Sequence, residues 1–282
     1  MTSTHSKTGT PLLQDHTEAI DLDEKKDYIA FFSKKKKTAQ LLIFIHGFHG
    51  HGVSTWKNFF TTLRTDKHFK DKDIIFYGYN STAFQAADHA GDFYDFLHLH
   101  ALSNSSSSCC IQALKEKKLK ERKYGKVTII AHSLGAIVTR EALKTAYDNN
   151  CVWLSKVQMA LFAPAHMGAN IIPLIFETLN IVSITKLLGT FFKYRVPVLN
   201  DLEKDSTILT KIMRDTKTLL RNGQGDFTKA KMVAHAKGDK IVQNIKFNQD
   251  CDAKRVEGKS HTRVCKPTND YNEPLLFLKE II

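Results

Sequence analysis

An α/β fold is the class this sequence predicts: a mostly parallel central sheet flanked by helices, with a helical insertion late in the chain. Three observations carry that expectation. The runs "LLIFIHG" (41–47), "DIIFYGYN" (73–80), "VTII" (127–130) and "VQMALFAPA" (157–165) are apolar on consecutive positions, as strands buried on both faces are. Stretches of helical periodicity separate them, which is the alternation of a parallel sheet. With 282 residues and 42% hydrophobic side chains, the chain can fill the core of one such domain.

Taken in order, residues 1–26 are polar and are expected to be a flexible segment, leaving 27–282 as the folded domain. "DYIAFF" (27–32) reads as the first strand, and the lysines at 34–37 mark the turn into "LLIFIHG". After "DIIFYGYN" comes a helical stretch around 84–100. "SNSSSSCC" (103–110) reads as a low-complexity surface loop, and "ALKEKKLKERKYG" (113–125) as a charged helix closed by Gly125. The insertion, at about 168–228, is expected to be mainly helical and to cap the site. "AKMVAHAKGDKIV" (230–242) and "KRVEG" (254–258) read as strand-like, and a helix follows Pro274. The chain has no internal repeat.

Lys and Arg number 41 against 29 Asp and Glu, a net charge of +12. That excess favours anionic partners. No basic patch interleaved with aromatics and no zinc-finger spacing is present, so nucleic-acid binding is not expected, whereas peripheral contact with an anionic membrane surface is. The start of the chain lacks an apolar core behind a basic segment, so no secretory signal is expected. Five cysteines without framework spacing fit a reducing compartment. No stretch reaches the roughly 20 apolar residues of a membrane span. Together these favour a cytoplasmic protein, and composition leaves the oligomeric state open.

The chemistry is concentrated in "VTIIAHSLGA" (127–136), where an apolar strand stops on Ser133 and a helical pattern begins. A serine hydroxyl is a weak nucleophile until a histidine takes its proton and a carboxylate orients that histidine. Small residues on either side, Ala131 and Gly135, suit a sharp strand-to-helix turn that lifts the hydroxyl above the sheet. Asp239 after "KMVAHAKG" and His261 after "KRVEGKS" follow later strands in the order serine, acid, histidine. Asp250 and Asp252 are the competing acids. Two backbone N–H groups must hold the developing oxyanion; Leu134, next to the serine, and Phe48, after Gly47, are the expected donors. His46, His49 and His51 have no carboxylate or cysteine complement, so no metal and no cofactor are expected. His46 is expected to brace the oxyanion loop, and His132 to pack beside the turn. His166 is expected to pack there as well and to border the substrate, with Phe191 and Phe192 of the insertion lining an acyl-chain pocket.

The segments "IFIHGFHGHGVSTW", "IIAHSLGAIVTREAL", "LFAPAHMGA", "LNDLEKDSTIL", "GDKIV" and "SHTRVCKP" resemble the α/β-hydrolase superfamily, and within it the DUF676 lipase group and the lipase-like serine esterases related to the serine-active-site-containing proteins. They span about 41–267. By that resemblance Ser133, Asp239 and His261 are nucleophile, acid and base, and the fold is the α/β-hydrolase fold. Where those relatives usually have Thr-Pro-His, this chain has Pro-Ala-His (164–166), and His49 stands where a glycine is common. The activity expected is hydrolysis of a carboxylic ester, of a lipid or another acyl compound, through an acyl-enzyme. An acyltransferase or thioesterase using the same serine is the first alternative. A hydrolase-fold interaction module without activity is the second.

Overall fold

The computed structural model describes residues 15–23, 28–35, 39–56, 58–179 and 196–282. Among the described residues, eight strands form one sheet: β1 (Ile20–Asp23), β2 (Tyr28–Phe31), β3 (Gln40–Ile45), β4 (Asp73–Tyr77), β5 (Lys126–His132), β6 (Val157–Phe162), β7 (Ala230–Ala236) and β8 (Lys254–Val256). Their spatial order is β1-β2-β4-β3-β5-β6-β7-β8. From β4 to β8 every pairing is parallel, while β1 and β2 run antiparallel at one edge. Leu41 to Ile45 of β3 and Met159 to Phe162 of β6 are fully buried, which is why these strands show no polar alternation. Phe44 packs in an aromatic cluster with Trp56, Phe59 and Phe76. Each such buried ring contributes about 1.5–3 kcal/mol by leaving water.

The helices are α1 (Phe59–Thr65), α2 (Ala86–Asp95), α3 (Cys109–Glu116), α4 (Leu134–Asp148), α5 (Ile171–Leu179), α6 (Val198–Asp201), α7 (Thr207–Arg221) and α8 (Glu273–Lys279). A π-helical turn, Phe96–Ala101, extends α2. Among the described residues, no helix is long and apolar enough to cross a membrane.

Four elements differ from their sequence reading. Part of the expected flexible segment is a strand: β1 pairs with β2 as Ile20↔Ala30 and Asp21↔Ile29, with Ile20 turned into the core. One buried residue in four gives no periodic signal, so the pairing had to be seen. The charged helix expected over 113–125 starts earlier, at Cys109 behind the cap Ser108, and ends at Glu116. The helix breaks at Lys118, whose φ is 56°, and the remainder turns back so that Arg122 meets the buried Asp73 (Nε–Oδ2 3.0 Å), to which Tyr124 also donates (2.7 Å). Gly125 leads into β5 and closes no helix, its N–H donating to Ala39. Beyond Ala236 the expected strand becomes a loop, 237–242, that carries Asp239. Within the expected cap, α7 turns Ile208, Leu209, Ile212 and Leu219 inward, and its Lys211 pairs with Glu141 of α4, so it lies on the flank of α4. Phe191 and Phe192 lie outside the described residues.

Candidate active site

β3, β5, β7 and β8 all end on the same side of the sheet, because they are parallel. The loops leaving them meet there, as ligand-binding loops do in open α/β sheets. Ser133 sits between β5 and α4 with φ 52° and ψ −118°. A non-glycine residue with positive φ is costly, about 1–3 kcal/mol, and persists where its surroundings impose it. Here its N–H donates to the Phe162 carbonyl (3.0 Å), and its own carbonyl accepts from Ala136 (3.1 Å) and Ala165 (3.3 Å). The turn is clamped from β6 on one side and α4 on the other.

Two glycines make the approach of these elements feasible. A Cβ at Gly135 would stand 2.6 Å from the His46 carbonyl oxygen and 2.7 Å from that of Ile45, so α4 starts directly against the end of β3. A Cβ at Gly47 would stand 2.7 Å from the Ser133 Cβ. The exit loop of β3 therefore lies on the serine, and the buried Phe48 follows at once. As the first residue of α4, Leu134 has an N–H with no acceptor in its own helix. The positive end of the α4 dipole is at the same point.

His261, in the loop after β8, and Asp239, in the loop after β7, complete a chain of hydrogen bonds with Ser133. His261 Nε2 is 2.9 Å from Ser133 Oγ, and its Nδ1 is 3.0 Å from Asp239 Oδ2. Ser133 and His261 are each 1% exposed. An ionised carboxylate only accepts, so Nδ1 carries the proton and Nε2 is left to accept from the serine hydroxyl. Burial opposes ionisation of Asp239, but His261 outweighs it together with the N–H groups of Ile241 (2.8 Å) and Val242 (3.2 Å). The carboxyl is thereby held below its ordinary range.

The competing acids are elsewhere. Asp250 is buried against Arg140 (2.5 Å) and accepts from the Ala230 N–H (2.8 Å), while the exposed Asp252 pairs with Lys246 (2.7 Å). His132 Nε2 donates to the His261 carbonyl (3.0 Å), a latch on the backbone of that loop. Burial, with the neighbouring His261, pushes the His132 imidazole well down, so it stays neutral. His46 donates from Nδ1 to the Gly47 carbonyl (2.8 Å), accepts the Tyr79 N–H at Nε2 (3.2 Å) and is pushed down to about 4 by burial. Both its nitrogens are committed to the β3 loop. His49, also at positive φ, donates its N–H to Ser81 (2.8 Å). His166 is 2% exposed, its ring 4.5 Å from that of Phe247, in the layer that contains Arg140 and Asp250. It is packed in the interior next to the elbow, since the preceding residue, Ala165, donates its N–H to the Ser133 carbonyl.

A further contact comes from α5: the Glu177 carboxylate accepts both the N–H (2.7 Å) and the hydroxyl (2.8 Å) of Thr262, the residue after His261. The sequence carries no signal for it beyond a polar residue interrupting an apolar helix.

The fold is similar to three solved structures, each 12% identical to this chain. Carboxyl esterase 2 of the mycorrhizal fungus Tuber melanosporum has a TM-score of 0.56, covering 98% of this chain and 87% of its own. A peroxisomal α/β-hydrolase of Saccharomyces cerevisiae has a TM-score of 0.54, covering 90% and 81%. A lipase of Bacillus licheniformis in mature form has a TM-score of 0.51, covering 88% and 96%. No curated protein matches the chain by sequence. The family model described as "Putative serine esterase (DUF676)" matches residues 35–244. The protein therefore has the α/β-hydrolase fold and belongs to the DUF676 serine-esterase family.

Proposed function

We propose that this protein hydrolyses carboxylic esters, of lipids or other acyl compounds, through an acyl-enzyme on Ser133. The observation that carries this reading is the continuous Asp239–His261–Ser133 hydrogen-bond chain beneath a strained turn. His261 Nε2 takes the hydroxyl proton as Ser133 Oγ attacks the ester carbon. The carbonyl electron pair moves onto oxygen, where the N–H groups of Leu134 and Phe48 hold it; one such donor is worth about 10²–10³ in turnover. As the carbonyl re-forms, the leaving alkoxide departs with the proton from His261. Water then repeats the attack on the acyl-serine, His261 again accepts and returns the proton, and the carboxylic acid leaves. Asp239 keeps Nδ1 protonated and stabilises the imidazolium formed twice in each cycle.

The test is labelling with a fluorophosphonate, followed by ester hydrolysis across chain lengths. Ser133→Ala should fold normally, resist labelling and lose roughly six orders of magnitude in turnover. Wild-type turnover by folded Ser133→Ala refutes the proposal. Phe191 and Phe192, with the charge of +12, support an acyl-lipid substrate met at an anionic surface. Polar replacements of both should then depress long-chain turnover and spare short-chain esters.

A further inference from the structure

The acid and base loops are joined by one short helix. At the start of α5, the Asn170 N–H donates to the Ile241 carbonyl (2.7 Å), and its side-chain amide donates to the Lys240 carbonyl (2.6 Å). Ala169 bridges Val242 as well. These are the residues whose N–H groups, at Ile241 and Val242, hold the Asp239 carboxylate. About 10 Å further along the same helix, at 1.5 Å per residue, the half-buried Glu177 accepts twice from Thr262. Between its ends, Leu174 and Ile175 anchor α5 in the core. Asp239 and His261 come from different loops, so the length of the hydrogen bond between them depends on how those loops are held.

We propose that α5 is a positioning splint for the two loops, with Asn170 fixing the acid loop and Glu177 fixing the base loop. This rests on the reading of Ser133, His261 and Asp239 as the catalytic groups. His261 is then constrained at three points. Asp239 holds its ring, His132 holds its carbonyl, and Glu177 holds the peptide that follows. Glu177 touches no reacting atom. Its effect on the reaction passes through Thr262 to the position of His261, where a displacement approaching 1 Å can cost on the order of 10² in rate.

The experiment compares wild type, Glu177→Gln and Glu177→Ala by steady-state hydrolysis of a short soluble p-nitrophenyl ester, by the rate of fluorophosphonate labelling, and by thermal unfolding. A glutamine oxygen accepts from both Thr262 donors, so Glu177→Gln should stay within a few-fold of wild type. Glu177→Ala should lose about 10- to 100-fold in kcat and in labelling rate, with KM for the small ester unchanged. If Glu177→Ala does not fold, Thr262→Val carries the test. It removes one of the two bonds and should lower kcat, whereas Thr262→Ser should not. Equal loss in the Gln and Ala variants, or none in the Ala variant, overturns the splint. If wild type itself is neither labelled nor active, it is the serine-hydrolase reading that fails.

Discussion

Gly135→Ala is the smallest perturbation that tests how tightly the elbow is built. The new Cβ would lie 2.6 and 2.7 Å from the carbonyl oxygens of His46 and Ile45. Real Cβ contacts essentially never close below 3.0 Å, so the start of α4 must retreat from β3 by a few tenths of an ångström. Neither neighbour can yield alone, since both oxygens are backbone atoms at the end of a central strand. Overpacking of this kind costs about 1–3 kcal/mol, offset by up to about 1 kcal/mol from the better helix propensity of alanine. The melting temperature should fall by a few degrees. Activity should fall further, up to about 10²-fold, because Ser133 and the Leu134 N–H move with the helix. Gly91→Ala supplies the control. It lies within α2, and a Cβ there meets nothing within 4 Å. That variant should gain about 0.5–1 kcal/mol and keep full activity. Circular dichroism melting and ester turnover measure both. If Gly135→Ala melts and turns over like Gly91→Ala, the close packing of the elbow against the end of β3 is not what the serine requires.

Asp250→Ala should leave Arg140 buried without its partner and cost about 3–5 kcal/mol, or roughly 10 °C in melting temperature. Asp252→Ala should change stability by less than about 0.5 kcal/mol. Asp239→Asn should instead lower turnover by about 10⁴ with little change in melting; if Asp250 or Asp252 proves essential for turnover in a folded variant while Asp239→Asn stays active, the acid is misassigned. Asp66 supplies a pH test. Partial burial opposes its ionisation, but Lys279 (2.5 Å) and His68 outweigh that and bring its carboxyl down to about 2 from an ordinary 3.8. A depressed carboxyl stabilises the fold above its unfolded value, and that contribution disappears as pH falls through the folded one. Wild type should therefore melt slightly above Asp66→Asn at pH 5–7, and the gap should close between pH 4 and 2. Solvent and salt screen this pair, so 1 M salt should shrink the difference too. A gap that widens on acidification contradicts this account.

The central strands and the serine turn were legible because their signals are local. A strand buried on both faces must be apolar at successive positions, as "VTII" is, and a turn that presses a helix onto a neighbouring strand must carry small residues, as Gly135 does. The order of Ser133, Asp239 and His261 along the chain could be matched to the order of the strands, so the candidate triad was nameable from sequence. The sequence favoured Asp239 but left Asp250 and Asp252 in competition, and only the tertiary structure separates the three. Asp239, Asp250 and Asp252 are the same residue type within fourteen positions, and only the packing of Arg140 and Lys246 against the latter two removes them from contention. Arg122 likewise lies outside the helix that its local sequence favours, paired with the buried Asp73, a partner 49 residues away. The latches from His132 and Glu177 onto the His261 loop are of the same kind, joining residues 129 and 85 positions apart. Periodicity records which face of a segment is buried. A hydrogen bond between loops depends on where several strands end relative to one another, and that is a property of the assembled sheet.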